Sequence, residues 1–182
     1  MDTWTPDRGR DGVHTRHAVV DTALGEVTLV AAGDAIVGLY FRQHWYRPPQ
    51  TDFGRCVPSS EDELLAAAAG QLEEYLNGDR ACFDLPTATS GDPFQERVWV
   101  LLRQIPRGHT VTYGELAEML GDKGQAQLVG QAVGRNPLCV IVPCHRVVGA
   151  DGRLTGYAGG LPRKRYLLEL EAPVAAKADR LF

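Results

Sequence analysis

Short apolar runs separated by turn residues occupy residues 17–41. HAVVD, EVTLVAA and AIVGLYF each have the length and residue types of a strand, with Leu24-Gly25 and Gly33-Asp34 between them as turn signals. The pattern predicts an antiparallel hairpin or meander. Residues 42–60 are polar and contain proline, which predicts a loop.

A helix is predicted after this loop, over EDELLAAAAGQLEEYLNGD. We expect Ser59 or Ser60 to cap its N-terminus, because acidic residues follow directly in the first turn. Asn77-Gly78 is the stop signal. Together with the strands, this helix forms a small α/β module.

The second half of the chain has a mainly helical pattern. FQERVWVLLRQIP places apolar residues at 94, 98, 101, 102 and 105, with Pro93 suited to a first helical turn. After an extended stretch at 110–112, ELAEMLG and QAQLVGQAVG are two short helices joined by a glycine-containing turn. This pattern indicates a helix-turn-helix, although any pair of antiparallel helices has the same signature. LCVIV then predicts a short buried strand, and a Gly-rich loop leads to a final helix, LPRKRYLLELE.

These elements predict an α/β (α+β) fold in two parts. A small N-terminal antiparallel-sheet plus helix module occupies 17–87, and residues 88–93 form a linker. A mainly helical C-terminal domain containing the helix-turn-helix occupies 94–172. Residues 1–16 are expected to be a disordered lead-in and residues 173–182 a tail.

Composition and charge narrow the classes of function. No apolar stretch approaches 18 residues and the N-terminus lacks the apolar segment of a secretory signal, so we expect a cytoplasmic protein with no membrane partner. The four cysteines form no CxxC pair, which argues against a zinc ribbon and a disulfide scaffold. Residues 1–91 carry 7 Lys and Arg against 14 Asp and Glu, and residues 92–182 carry 12 against 9. Only the second half has a net positive charge, as expected of a phosphate-binding surface.

VIVPCHRVVG, residues 141–150, carries the candidate chemistry. Three interpretations of Cys144 are open: a nucleophile, a metal ligand or a small core residue. The sequence has no second Cys/His cluster that would complete a metal site. Pro143 favours extended backbone before it, and neighbouring side chains of extended backbone point to opposite sides. We therefore expect a water, rather than a direct hydrogen bond, to connect Cys144 with His145.

Glu171 is the candidate acceptor behind His145. It stands three and four residues beyond Leu168 and Leu167 in the final helix, so it shares their apolar face, whereas Glu169 should face out. The alternative is a carboxylate in solvent at the end of a helix.

The chain resembles the O6-alkylguanine-DNA alkyltransferases, which repair DNA by transferring an alkyl group irreversibly to their own cysteine. The matching pieces follow the family order over about 80 residues. They are FQERVW, IPRGHTVTYGELA, GRNP, VIVPCHRVVG, TGYAGG and RKRYLLELE.

The resemblance implies a role for each of five residues. Cys144 accepts the alkyl group from O6 of guanine, His145 acts as a water-mediated base, and Glu171 holds the imidazole. Tyr113 donates a proton to the leaving guanine. Asn136 ties the recognition helix to the active-site loop, although Asn before a proline is also a common helix C-cap. No cofactor and no metal are implied.

The resemblance also implies the binding surfaces. The partner is double-stranded DNA containing O6-alkylguanine, flipped out of the helix while residues 125–133 lie in the minor groove. The protein is expected to be a monomer in solution, with cooperative assembly on DNA left open. The base pocket is implied at Val147, Tyr157 and Ala158. DNA contacts are implied at Gln95, Tyr113, Gln125, Ala126, Gln127, Gly130 and Ala150.

One position departs from the family pattern. Gln127 stands where the family has an arginine that fills the space left by the flipped base, and Leu128 next to it is an alternative apolar wedge. We therefore expect slower reaction on duplex DNA than in a relative with the arginine. Two other functions remain open: a non-catalytic sensor of alkylated bases that recruits another repair pathway, and a thiol hydrolase using Cys144 and His145.

Overall fold

The computed structural model describes residues 14–173, and the predicted lead-in up to residue 13 and the predicted tail from 174 lie outside them. The first module contains the predicted meander, which is confirmed: β1 (Thr15–Thr22), β2 (Gly25–Ala32) and β3 (Ala35–Phe41) pair antiparallel. β1 begins two residues before the predicted boundary at residue 17. A two-residue strand, β4 (Arg55–Cys56), adds parallel to β1 and gives the order β3-β2-β1-β4. The predicted loop at 42–60 therefore contains a strand, which is too short to leave a periodic signal.

Helix α1 (Glu63–Asn77) packs its buried side against this sheet, with Leu65, Leu72 and Tyr75 in the core. The predicted cap is wrong, because Asp62 rather than a serine occupies the N-cap and accepts from the backbone N–H of Leu65 at 3.0 Å. Ser59–Glu61 form a preceding 3₁₀ turn. The helix ends at Gly78, whose φ of 86° is left-handed.

The second part contains the remaining helices. These are α2 (Pro93–Arg103), α3 (Tyr113–Met119), α4 (Ala126–Gly134) and α5 (Leu161–Glu171). The indole N–H of Trp99 in α2 donates to the carbonyl of Ala132 in α4 at 2.9 Å, and this hydrogen bond connects the two helices. Helices α3 and α4 pack together as the predicted helix pair. Two short parallel strands, β5 (Val111–Thr112) and β6 (Val147–Val148), join the start of α3 to the segment after Cys144.

The predicted strand LCVIV is wrong. Residues 138–142 form a compact turn, in which the N–H of Val142 donates to the carbonyl of Leu138 at 2.8 Å and Val140 has a φ of 71°. The apolar run reflects burial, since Leu138, Cys139, Val140 and Val142 are all inaccessible to solvent or nearly so. A buried turn needs the same apolar side chains as a buried strand, so the composition does not separate them.

Candidate active site

Asn136 holds the turn that precedes Cys144. Its side-chain amide donates to the carbonyl of Val142 at 2.9 Å, and its Oδ1 accepts from the N–H of Leu138 at 3.0 Å. The C-cap of α4 is Arg135, so the alternative role of Asn136 as the cap is not observed. Asn136 therefore connects the end of α4 to the reactive segment through two buried hydrogen bonds.

Cys144 begins a 3₁₀ turn, Cys144–Arg146, and is 2% exposed. Its Sγ lies 3.6 Å from the Sγ of Cys139, a second buried thiol that the sequence analysis did not connect with it. The hydrogen bond with Cys139 is the largest influence on the pKa of Cys144 and lowers it, while burial acts in the opposite direction. A lower pKa favours the thiolate, the form of a cysteine that attacks an electrophile.

His145 makes its hydrogen bond to Glu171 rather than to Cys144. Its Nε2 lies 2.6 Å from Glu171 Oε1, with both side chains fully buried. Nδ1 is buried and has no hydrogen-bond partner among residues 14–173. The expectation of extended backbone here is wrong, because Cys144–Arg146 form a 3₁₀ turn, in which the alternation of side chains does not apply. Burial lowers the pKa of His145, and the hydrogen bond to Glu171 opposes that shift.

Glu171 faces the interior, so the alternative of a solvent carboxylate is wrong. Besides His145, Glu171 accepts from Arg146 Nε at 2.8 Å and from the hydroxyl of Tyr75. Burial works to raise the pKa of Glu171, but the hydrogen bonds from His145 and Arg146 outweigh it and hold that pKa well below its usual range. The carboxylate is therefore ionised and orients His145. Neither Tyr75 nor Arg146 was identified from the sequence.

A cavity of about 30 Å³ opens beside Cys144. Residues from both parts of the chain line it: Trp45, Tyr113, Gly130, Val133, Gly134, Cys144, Gly156, Tyr157 and Ala158. The hydroxyl of Tyr113 donates to the carbonyl of Thr155 at 3.2 Å, and burial raises the pKa of Tyr113, so this phenol is in its protonated form at neutral pH. Tyr157 and Ala158 lie where the pocket was predicted. Val147 is not among the lining residues, because its side chain is buried in β6.

Lys164 is a buried cation that interacts electrostatically with Cys144. Its ammonium donates to the carbonyls of Thr155 and Gly156 at 2.7 and 3.0 Å and so fixes the Gly-rich loop. Burial lowers the pKa of Lys164 to about 8, and its charge favours the thiolate of Cys144. Sequence reasoning missed it, although Lys164 lies three residues before Leu167 and seven before Glu171 and therefore shares their face.

The residues predicted to contact DNA differ in exposure, and of these Tyr113 and Gly130 line the cavity. Gln127 and Leu128 are exposed on α4, whereas Gln125, Ala126 and Gly130 are half-buried. Ala150 is exposed in the loop after β6. Gln95 is half-buried, and its side chain accepts from the N–H of Asp92 in the capping box of α2.

Within the part of the chain that the structure describes, no helix is long and apolar enough to cross a membrane. Over the same residues, no group of three or more His, Cys, Asp or Glu side chains is arranged to hold a metal ion.

Fold and site together define a protein in which a buried thiol, Cys144, lies at a cavity lined in part by a pair of packed helices. Residues 93–173 match the family model for the DNA binding domain of 6-O-methylguanine DNA methyltransferase, and residues 15–89 match the model for its ribonuclease-like domain. The chain therefore belongs to the 6-O-methylguanine DNA methyltransferase family.

Individual relatives agree with this assignment. The chain is 42% identical over 170 residues to the methylated-DNA--protein-cysteine methyltransferase of Mycobacterium tuberculosis, covering 93% of this chain and 99% of that one. A protein of the same name from Shigella flexneri is 54% identical over 102 residues, which are 56% of this chain and 60% of that one. The crystal structure of Mycobacterium tuberculosis OGT in complex with DNA matches with a TM-score of 0.79 at 42% identity, covering 86% of this chain and 92% of that one.

Proposed function

We propose that this protein repairs DNA by transferring the alkyl group of O6-alkylguanine to Cys144, once per molecule. The observation that carries the proposal is the position of the Cys144 thiol. It lines the same cavity as Tyr113, and the next residue, His145, forms a buried pair with Glu171. The thiolate attacks the alkyl carbon, so that an S–C bond forms as the C–O6 bond breaks. The electron pair stays on guanine, which takes a proton from the hydroxyl of Tyr113.

The protonation of His145 suits the role of a base. Glu171 is ionised and accepts only, so Nε2 of His145 carries the proton and Nδ1 has the free lone pair. Lowering of its pKa by burial keeps the imidazole neutral at neutral pH. Nδ1 then accepts the proton of the Cys144 thiol through a bridging water.

The substrate is proposed to be duplex DNA that presents the damaged base from its minor groove. Gln127 and Leu128 lie on the exposed side of α4, where they are available to fill the space left by a flipped base. Ala126 and Gly130 are small, which suits close approach of α4 to a narrow groove. Gln95, Gln125 and Ala150 supply contacts to the flanking DNA. We expect a monomer in solution, and the four free thiols fit a reducing compartment such as the cytoplasm.

The intact mass after incubation with O6-methylguanine duplex tests this proposal. One methyl group per molecule, mapped to Cys144 and lost in Cys144→Ser, is the expected result. An unchanged mass with retained binding to the alkylated duplex would indicate a sensor instead. Repeated turnover of an ester without a mass change would indicate a thiol hydrolase.

A further inference from the structure

Cys139 lies directly beside the thiol of Cys144. The two sulfur atoms lie 3.6 Å apart, within the range of an S–H···S hydrogen bond, and both are buried. Two further contacts of the Cys139 sulfur are longer. The carbonyl of Asn136 lies at 3.9 Å and Nε2 of His44 at 4.0 Å. The turn held by Asn136 therefore presents a second thiol to Cys144.

The surroundings of the two sulfur atoms differ. Besides Cys139, the side chain of Asn136 and the buried positive charge of Lys164 on α5 favour the thiolate of Cys144. Cys139 instead faces Tyr157 of the Gly-rich loop and Tyr40 of β3, which are neutral hydroxyls. The charge is thus favoured on Cys144 and the proton on Cys139, and the pKa shifts of the two thiols have the matching directions, lowered for Cys144 and raised for Cys139.

The other titratable groups that face the pair are neutral at neutral pH. Burial lowers the pKa of His44, which approaches from the first module, to about 4. Burial also lowers the pKa of His145 on the same turn and raises that of Tyr113 on α3. These groups therefore do not supply the charge that sets the asymmetry between the two thiols.

We infer that Cys139 is a positioning residue for alkyl transfer: its S–H donates to the sulfur of Cys144 and holds that sulfur in its attacking form. The inference rests on the proposed function, in which Cys144 is the acceptor. A thiolate stabilised in this way is more abundant but intrinsically less nucleophilic, with a Brønsted coefficient of about 0.4–0.5. If the pKa falls by about one unit, the reaction is roughly threefold faster at pH values below the midpoint of the thiolate titration. Above that midpoint the reaction is roughly threefold slower.

The test compares Cys139→Ala with Cys139→Ser in a Cys56→Ser/Cys82→Ser background, which removes the two exposed thiols. These variants differ from each other only in a hydroxyl that can donate to the thiolate. The ultraviolet absorbance of the thiolate and the single-turnover rate with free O6-benzylguanine are followed against pH. In Cys139→Ala, we expect the pH midpoint of the thiolate titration to rise by about one unit. Its plot of reaction rate against pH should therefore cross that of the parent. Cys139→Ser should restore most of the shift.

Three results would overturn the inference. One is an identical midpoint in all three proteins, and another is a uniform loss of rate without crossing, as expected if Cys139 only fills space. The third is a low-pKa thiol that persists in Cys144→Ser, which would reverse the roles of the two sulfurs. If Cys139→Ala does not fold, Cys139→Val and Cys139→Ser serve for the same comparison, since valine also removes the donor and is close to cysteine in volume.

The same experiment separates this inference from the proposed function. A parent protein whose thiolate titrates as expected, but in which O6-benzylguanine never modifies Cys144, contradicts the function and leaves the thiol pair intact. A parent that is alkylated at Cys144, with a midpoint insensitive to residue 139, contradicts the inference alone.

Discussion

The hydroxyl of Tyr75 donates a hydrogen bond to Oε1 of Glu171, the same oxygen that binds Nε2 of His145. Tyr75 belongs to α1 of the first module, and Glu171 ends the last helix of the second. The first module therefore takes part in orienting the candidate base, although the reactive cysteine lies in the second.

Tyr75→Phe tests this connection. It removes one donor from a buried carboxylate, and a hydrogen bond to a charged group contributes about 1.5–3 kcal/mol. We expect a loss of stability of that order in urea denaturation, and a slower single-turnover reaction with free O6-benzylguanine because His145 is held less firmly.

The matched control is Tyr166→Phe, because the hydroxyl of Tyr166 donates to the backbone carbonyl of Leu76, at 3.4 Å, and not to a carboxylate. Its reaction rate should equal that of the parent. Equal rates for Tyr75→Phe and the parent would show that the first module does not influence the base.

Glu171 should make the free energy of unfolding depend on pH. Its pKa is held well below the ordinary glutamate value of about 4.3 because His145 and Arg146 bind the ionised form more strongly than burial opposes it. The unfolded chain therefore binds more protons than the folded one once pH falls below about 4.3. The stabilisation is complete above that pH and declines by up to about 1.4 kcal/mol for each unit below it.

Urea denaturation of the parent and Glu171→Gln between neutral pH and pH ~3.5 measures this effect. The glutamine variant should be less stable at neutral pH and lose less stability on acidification. Glu73→Gln, at an exposed position of α1, is the control and should follow the parent. Parallel curves for the parent and Glu171→Gln would contradict the prediction.

Gln127→Arg should speed reaction on duplex DNA. The substitution places a longer, charged side chain on the exposed side of α4, where it can occupy the space left by a flipped base and stack on neighbouring bases. Single-turnover rates are measured with O6-methylguanine duplex and with free O6-benzylguanine. The free base needs no flipping, so its rate should not change. The prediction fails if the duplex rates of the two proteins are the same.

Trp45→Ala should change the preference among alkyl groups. Trp45 lines the cavity, and a Cβ at Gly156 would lie 3.8 Å from its ring and 3.7 Å from the hydroxyl of Tyr113. Removing the indole widens the entrance, so O6-benzylguanine in duplex DNA should gain a few-fold in rate relative to O6-methylguanine. Tyr46→Ala is the control, because Tyr46 is equally exposed but stacks with Arg135 and does not line the cavity. A similar change of the rate ratio in both variants would contradict a specific role for Trp45.

The sequence predicted those parts of the site that depend on local periodicity or on the family pattern. Short apolar runs bounded by turn residues identified β1–β3, and helical spacing placed Glu171 on the buried face of α5. The same spacing would have revealed Lys164. The roles carried over from the family, including that of Tyr113 as proton donor, stay predictions.

Other parts depend on contacts between distant residues and leave no local signal. Tyr75 lies 96 positions before Glu171, and Trp45 reaches the cavity from a polar loop of the first module. Cys139 was assigned to a strand, in which its sulfur would have had no particular relation to Cys144. The positive φ of Val140 reverses the direction of the chain. Because β-branched residues rarely adopt positive φ, the sequence does not predict this conformation.

The burial of Cys144 has a consequence for side reactions. The residue is 2% exposed, and the cavity beside it has room for on the order of one or two water molecules. Reagents in solution therefore reach the sulfur through a small opening. We expect small electrophiles and oxidants to modify the exposed Cys56 and Cys82 before Cys144, so that burial limits accidental reactions of a cysteine proposed to work once.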